Sequence, residues 1–186
     1  MDQISEVVTK FNSISIPEYL LYETQSENRK LIQTWIEYRK TNYVIPEELK
    51  YPGWNNARDD DGETPLMQWI RFRKNELIQE ELKYPGWQTD INEYDMTPLK
   101  CWIQYRHGEP IPEELKYPGC LCYYYCEDRI PLMLWILYRK NELIPDELKY
   151  PGWQTDKTDF GITPLMFWIQ YRPNEPIPEE LTKYRN

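Results

Sequence analysis

The sequence predicts an all-α protein, a helix-turn-helix repeat solenoid of about five units with an N-terminal cap. Three short patterns support this prediction, because each recurs at a step of 33 residues. Periods of roughly 20 to 50 residues are typical of solenoids, in which each unit buries its apolar face against its neighbours. The patterns are Thr-Pro-Leu or Ile-Pro-Leu from residues 64, 97, 130 and 163, tryptophan at 69, 102, 135 and 168, and Tyr-Pro-Gly at 51–53, 84–86, 117–119 and 150–152.

The period divides residues 28–186 into five units, which we call repeats 1 to 5. Repeat 1 lacks Thr-Pro-Leu but keeps Trp35-Ile36 and Ile45-Pro46, and repeat 5 is shorter than the others. Residues 1–27 hold a weaker copy of the pattern, Ile16-Pro17-Glu18, and are predicted to cap the stack. Capped ends favour a monomer, because they leave no open face for further stacking. The five ranges are 28–60, 61–93, 94–126, 127–159 and 160–186.

The Thr-Pro-Leu pattern predicts the start of the first helix in a repeat. Thr64 suits the N-cap and Pro65 suits the first helical position, where a missing N–H costs nothing. An arginine ends the apolar face of this helix. Its stem can pack while its guanidinium reaches a carbonyl group or an acid. The face follows helical spacing in Leu66, Trp69, Ile70 and Arg73.

A second helix is predicted to start near Ile78, after a short polar turn. Proline recurs there at 46, 112, 145 and 178 and is followed each time by two acids, which favour a helix N-terminus. We therefore interpret the acid pairs as helix-terminus electrostatics, with acid/base chemistry or cation binding as the alternatives. Tyr-Pro-Gly ends the helix. A polar segment of about ten residues, which we call the finger, then leads to the next repeat.

The repeats resemble the ankyrin-repeat family over residues 28–186. The resemblance rests on the 33-residue period, the Gly-x-Thr-Pro-Leu starts at Gly62–Leu66 and Gly161–Leu165, and the helix-turn-helix-finger order. The family's Gly-His turn and Gly-Ala-Asp finger are missing, and Trp-Ile stands where the family has a pair of small residues. The resemblance implies a protein that binds partners through its finger tips and the inner face of its first helices.

The charge of the chain excludes one class of partner. With 31 acidic and 22 basic side chains, the net charge is −9, which opposes direct nucleic-acid binding and favours basic partners. No segment approaches the ~18 apolar residues that span a bilayer, and residues 1–10 lack an apolar signal core. Four cysteines do not make a disulfide scaffold. We expect a cytoplasmic or otherwise intracellular protein that does not insert into membranes.

The sequence contains no recognisable catalytic constellation. Its one histidine, His107, lies in a turn where the other repeats have Lys74, Lys140 and Pro173, which indicates a tolerant surface position. Nucleophile elbows, glycine-rich phosphate loops and zinc-protease helices are absent from the sequence. We expect a non-enzymatic protein without a cofactor and assign no catalytic residue.

Four cysteines are concentrated in repeat 3. Cys120, Cys122 and Cys126 lie in its finger, and Cys101 lies on its first helix. Four thiols could form a zinc site, but neither finger spacing matches the two-residue gap common in zinc knuckles. A disulfide is a further alternative. Small apolar cysteines in an unusually apolar finger are the interpretation that the spacing favours.

The same finger carries a predicted partner-binding surface. Three adjacent rings, Tyr123, Tyr124 and Tyr125, replace the polar residues of the other fingers, and tyrosine is favoured at interfaces. On the first helices, the face opposite the apolar stripe varies between repeats except for an aromatic residue at 72, 105, 138 and 171, and it is fully apolar in repeat 4. Exposed apolar patches mark contact sites. The helix residues of this predicted surface are Gln104, Tyr105, Leu134, Leu137, Tyr138, Phe167 and Tyr171.

Two functions are compatible with these patterns. The first is a protein-binding scaffold that uses the fingers and the inner helix face. The second is an acidic inhibitor or effector, of viral, phage or secreted origin, that blocks a basic site on a host or nucleic-acid-handling protein. Binding by charge mimicry weakens steeply with ionic strength, whereas apolar docking does not.

Overall fold

The computed structural model describes residues 21–38, 44–116, 130–158 and 160–184, with side chains from residue 27 onward. These residues form six α-helices and several short 3-10 helices, and no strand occurs among them. The predicted all-α class is therefore confirmed. The α-helices are α1 (Leu21–Tyr38), α2 (Pro65–Phe72), α3 (Pro98–Tyr105), α4 (Pro131–Tyr138), α5 (Pro164–Tyr171) and α6 (Glu179–Thr182).

The chain divides into two compact units, residues 1–85 and 86–186. In the first unit, α1 packs against α2. In the second unit, α3 packs against α4 and α4 packs against α5, while α6 contacts α5. Within the second unit, the first helices of successive repeats are therefore direct neighbours.

The predicted helix starts are confirmed. Thr64 accepts a hydrogen bond on its Oγ1 from the backbone N–H of Met67 at 3.5 Å, and proline follows at the first helical position. Thr97 and Thr163 accept equivalent bonds, each at 3.3 Å. In α4 the cap position holds Ile130, whose side chain has no oxygen and makes no capping bond.

The predicted second helix is wrong for most repeats. A single 3-10 turn of three residues stands in its place in repeats 1 to 4, and α6 alone has α geometry among these segments in the described residues. The reason is the Tyr-Pro-Gly sequence that follows, since a residue before proline avoids the helical region and Gly53, Gly86 and Gly152 have φ of 79° to 85°. Each turn still buries one leucine. The turns are Glu47–Leu49, Glu80–Leu82, Glu113–Leu115 and Asp146–Leu148.

An arginine follows the C-terminus of α2, α3, α4 and α5, and all four of these arginines are buried. In the second unit, Arg106 and Arg139 are 0% exposed and Arg172 is 2% exposed. Each guanidinium lies over the tryptophan of its own helix, with its carbon 4.3 to 4.6 Å from the ring centroid. Arg73 in the first unit lies 5.2 Å from the ring centroid of Trp69. We call Arg106, Arg139 and Arg172 the arginine column.

The arginine column joins successive repeats. Arg139 donates from Nε to the carbonyl oxygen of Ile103 at 3.0 Å and from Nη2 to that of Glu109 at 3.0 Å. Arg172 repeats this pattern one repeat later, with Nε bonded to the carbonyl oxygen of Ile136 at 2.7 Å and Nη1 to that of Glu142 at 2.9 Å. The guanidinium thus satisfies carbonyl groups at the end of the preceding helix and in the turn after it, as the sequence predicted for the end of the helix face.

A glutamate three residues later compensates the buried charge. Arg139 contacts Glu142 at 3.1 Å and Arg172 contacts Glu175 at 3.2 Å. Burial lowers the pKa of both arginines, and the glutamates oppose that change. Glu142 also accepts a bond on Oε1 from the backbone N–H of Gly108 in the preceding repeat, at 3.0 Å. Glu175 accepts a bond from the backbone N–H of Asn141 in the same way, at 3.0 Å, so both members of the Arg139–Glu142 and Arg172–Glu175 pairs bond to the preceding repeat.

Replacing Arg139 by methionine should strongly destabilise the protein. The apolar stem remains, but the carbonyl groups of Ile103 and Glu109 lose their donor and Glu142 loses its cation. We expect the free energy of unfolding in urea to fall by about 2 to 4 kcal/mol. The matched control is Lys140→Met, an exposed neighbour, which should change that free energy by less than about 0.5 kcal/mol. Equal effects of the two variants would contradict the role given to the arginine column.

Candidate functional site

The predicted surface is only partly exposed. Leu134 is 5% exposed and Phe167 is 6% exposed, so the expectation that both side chains face a partner is wrong for the described structure. The physical reason is visible in repeat 2, where the equivalent residue Gln68 donates from Nε2 to Oδ2 of Asp59 at 2.7 Å. In repeat 2 this helix position therefore faces the finger that precedes the helix. Tyr123, Tyr124 and Tyr125 lie outside the described residues.

The remaining predicted residues lie at the C-terminal ends of the helices and are half-buried. They are Gln104, Tyr105, Leu137, Tyr138 and Tyr171. Because α3 packs on α4 and α4 on α5, the rings of Tyr105, Tyr138 and Tyr171 stand at the same position of three consecutive helices. We call these three rings the aromatic row. The ring of Tyr171 lies 4.7 Å from that of Phe167, which anchors the end of the row to the interior.

The described fingers share a buried tryptophan. Trp54 and Trp87 are 9% exposed and Trp153 is 4% exposed. Each follows a glycine with left-handed φ, which turns the chain so that the indole enters the core. In repeat 3 the equivalent position holds Cys120. A side chain of far smaller volume therefore stands where three other repeats place a core ring.

The residue after this tryptophan links the finger to the next repeat. Asn55 donates from Nδ2 to the carbonyl oxygen of Glu81 at 3.2 Å, and Gln88 donates from Nε2 to that of Glu114 at 2.9 Å. The equivalent residue of repeat 3 is Leu121, which has no donor to offer.

The end of each finger is organised by one polar side chain. Asp59 accepts bonds on Oδ1 from the N–H groups of Asp61 and Glu63, at 3.0 and 2.7 Å. Asn92 accepts two bonds at 2.9 Å in the same way, and Thr158 accepts one at 3.2 Å. In repeat 3 this position holds Tyr125.

The segment that joins repeat 3 to α4 thus departs from the equivalent segments of the other repeats at four successive framework positions. The buried tryptophan, the linking amide, the turn acceptor and the threonine cap become Cys120, Leu121, Tyr125 and Ile130. Sequence comparison detects these substitutions, but the role of each position is evident only from the contacts of its counterparts. We call residues 120–130 the divergent finger.

The paired acids have a role that sequence reasoning missed. The second acid of a pair binds a lysine of the preceding repeat, and that lysine also binds the first acid of its own repeat. Lys149 illustrates both contacts, with Asp146 at 2.9 Å and Glu180 at 3.1 Å. Lys149 lowers the pKa of Asp146 through this hydrogen bond. The other pairs that cross repeats are Lys50–Glu81 at 2.6 Å and Lys116–Glu147 at 2.7 Å.

The described residues contain no group of three His, Cys, Asp or Glu side chains that could hold a metal ion. Cys101 is buried, and the other three cysteines of the zinc alternative, Cys120, Cys122 and Cys126, lie outside the described part of the chain. The zinc alternative therefore stays a prediction. His107 is exposed, and its Nε2 lies 2.7 Å from the carbonyl oxygen of Gln104, so this nitrogen carries the proton.

In the part of the chain that the structure covers, no helix combines the length and apolar character needed to cross a membrane.

Comparison with known proteins returned no relative. No protein-family model matches the chain. Neither a curated protein nor a solved structure shows significant similarity to it. The resemblance to ankyrin repeats stays a prediction from the period and the motifs.

One finger carboxyl makes a pH-dependent contribution to stability. Glu63 is 7% exposed, and burial raises the pKa of its carboxyl, with Arg71 at 3.5 Å opposing the change. A raised folded-state pKa means that the protonated form is favoured by folding. The contribution of Glu63 is therefore full below its unfolded value of about 4.3 and is lost as pH rises through the folded value.

We expect Glu63→Gln to be at least as stable as the native chain at pH 7, because a neutral amide avoids the cost of burying the charge. The advantage should shrink toward pH 4, where the native carboxyl is protonated. Urea unfolding at both pH values measures this, with the exposed Glu48→Gln as control. A variant that loses more stability at pH 7 than at pH 4 would contradict the assignment.

Proposed function

We propose that this chain is a non-enzymatic scaffold of ankyrin-like repeats, stacked as a solenoid, that binds a protein partner. The divergent finger and the aromatic row form the contact surface. The observation that carries the proposal is the loss of all four framework residues in one finger, at Cys120, Leu121, Tyr125 and Ile130.

The framework residues matter because they stabilise the fold where they occur. In the other fingers they fill the core, bridge to the next repeat, close a turn and cap a helix. Cysteine, leucine, tyrosine and isoleucine cannot supply the same indole, amide, carboxylate or threonine hydroxyl, and a helix cap alone contributes about 1 kcal/mol. Stability is commonly sacrificed at sites that serve function. The replacements are apolar or aromatic, which suits a contact surface more than a solvated loop.

The helix that follows the divergent finger extends the same chemistry. The sequence of α4 is Pro-Leu-Met-Leu-Trp-Ile-Leu-Tyr, without a charged side chain. At the half-buried position 137 it carries leucine, where α3 and α5 carry Gln104 and Gln170. Leu137 and Tyr138 therefore form an apolar part of the surface, flanked by Tyr105 and Tyr171. An interface with an apolar centre and a charged rim is the usual arrangement in protein complexes.

The acidic inhibitor remains the second candidate, because the net charge of −9 would attract a basic site. The contacts that the acidic side chains make within the chain reduce the support for an acidic inhibitor. Several of them are engaged by lysines of their own chain, as in Lys116–Glu147 and Lys149–Glu180. Salt dependence separates the two candidates, since a surface charge effect is screened within about 10 Å at 0.1 M salt.

The proposal is tested by exchanging the divergent finger. Residues 120–126 are replaced by the sequence of residues 87–93, Trp-Gln-Thr-Asp-Ile-Asn-Glu, which restores the tryptophan, the amide and the turn acceptor. We expect the variant to unfold at a higher urea concentration than the native chain. We also expect it to lose the protein partner that the native chain captures from lysate, as measured by affinity purification and mass spectrometry.

In the control variant, residues 153–159 are replaced by the same Trp-Gln-Thr-Asp-Ile-Asn-Glu sequence. This finger already has the tryptophan, the amide and a turn acceptor, so the control variant should still bind the partner. A partner retained by both variants would remove the divergent finger from the site. For the captured partner, apolar docking predicts that its dissociation constant rises less than about threefold between 0.1 and 0.5 M salt. A steep rise would favour the acidic inhibitor instead.

A further inference from the structure

Two buried polar side chains in the first unit stand where the second unit has apolar ones. Glu63 is 7% exposed and Gln68 is 4% exposed. Burying a carboxyl and an amide where an apolar side chain fits costs stability, and such exceptions are typical of functional sites. The apolar residues at the equivalent positions are Met96 and Ile162 for Glu63, and Cys101, Leu134 and Phe167 for Gln68.

Both polar side chains line one cleft, whose walls come from α1, from the finger of repeat 1 and from the start of α2. The cleft has a volume of about 180 Å³, part of which is open to solvent. Sites for whole small molecules commonly measure about 300 to 1,000 Å³. The cleft is therefore of the size that takes a single side chain or the end of a short molecule.

The polar end of the cleft offers acceptors that lack donors. Nε2 of Gln68 donates to Asp59, which does not line the cleft, at 2.7 Å. Oε1 of Gln68 is buried and has no hydrogen-bond partner among the described residues. The carboxylate of Glu63 lies 3.5 Å from Arg71, which is long for a charge-assisted hydrogen bond. A ligand that donates N–H groups would satisfy both acceptors.

The remaining walls of the cleft are largely apolar. Ile32 is 1% exposed and Trp54 is 9% exposed, and Ala57 and Pro65 complete this part of the lining. Such walls favour an alkyl stem behind the donor group. A positive charge on the ligand is favoured as well, because the acceptors include a carboxylate and the chain has a net charge of −9.

We propose that this cleft binds a primary ammonium group on an alkyl stem, with its N–H groups donating to the carboxylate of Glu63 and to Oε1 of Gln68. An ammonium group has three donors and no acceptor, which matches a pair of acceptors without a donor between them. The stem packs on Ile32 and Trp54. A lysine side chain of another protein and a free alkylamine share this chemistry.

Arg29 controls access to the cleft. This half-buried side chain lines the cleft and donates from Nη1 to the carbonyl oxygen of Arg58 at 2.5 Å, which ties α1 to the finger. In this arrangement the walls stand too close together to admit even a water molecule. The ligand therefore enters when Arg29 swings outward, a side-chain movement that leaves α1 in place.

Titration of the full chain with n-butylammonium chloride at pH 7, followed by NMR, tests the proposal. We expect saturable shifts of the backbone amides of Ala57, Glu63 and Gln68 that sodium chloride at equal concentration does not produce. Glu63→Gln and Gln68→Leu should each raise the dissociation constant at least about tenfold, since each removes one acceptor. Urea unfolding checks that both variants fold, as expected because leucine stands at the equivalent position of α4.

Arg29→Met removes the group that closes the cleft and a charge that repels the ligand. It should lower the dissociation constant of n-butylammonium at least about threefold. The matched control is Glu48→Gln, which removes one acid at an exposed position outside the cleft. It should change the dissociation constant less than about twofold, because exposed charges are screened by salt.

The proposal is overturned if n-butylammonium shifts the same signals as sodium chloride, or if Glu48→Gln weakens binding as much as Glu63→Gln. It is also overturned if tetramethylammonium, which has the charge but no N–H group, binds as tightly. Nα-acetyl-lysine N-methylamide separates the two sources of the ligand. Binding of both amines supports the proposal with a protein lysine as the source, and binding of n-butylammonium alone supports it with a free amine. The finger exchange alters the second unit and tests a different site.

Discussion

The buried arginine that follows each of α3, α4 and α5 is the contact on which the described fold of the second unit depends. A charged guanidinium is costly to bury, and its presence at 0% to 2% exposure requires partners on every side. It finds them in a tryptophan ring, a glutamate and the carbonyl groups of the preceding repeat. If one partner were removed, the buried guanidinium would lose a contact that compensates for its burial. The tryptophan, the arginine and the glutamate therefore recur together. In this chain a polar contact, in addition to apolar packing, fixes how one repeat meets the next.

This arrangement explains how the chain tolerates an unusual finger. In the second unit, successive repeats are joined through the arginine column and through lysine–acid pairs such as Lys149–Glu180. Both kinds of contact lie outside the fingers. Repeat 3 can therefore replace the framework residues of its finger while its helix and turn keep Arg106 and Glu109, which contact each other at 3.0 Å. The residues that join the repeats are therefore different from the finger residues that vary between repeats. The proposed partner surface includes the variable finger residues.

Short sequence patterns correctly predicted the features that depend on neighbouring residues, namely helix starts and buried helix faces. Thr64 and Pro65 predicted a helix start, and the spacing of Leu66 and Trp69 predicted a buried face; both are present. The second helix was wrong because periodicity suggests a helix but does not show that Tyr-Pro-Gly leaves room for only one 3-10 turn. The burial of Leu134 and Phe167 and the pairing of Lys116 with Glu147 depend on how distant segments meet. A sequence pattern within one repeat does not show which residues of another repeat it will contact.

The proton–nitrogen NMR spectrum of the arginine side chains tests most directly whether the arginine column joins the repeats. Arg139 and Arg172 each donate from Nε to a buried carbonyl oxygen, at 3.0 and 2.7 Å. Their Nε–H groups should give sharp, dispersed signals that exchange slowly with water at pH 7, unlike those of an exposed arginine. If these signals have the chemical shift of free arginine and their protons exchange rapidly with water, the side chains are solvated. Arg139 and Arg172 would then not join the repeats.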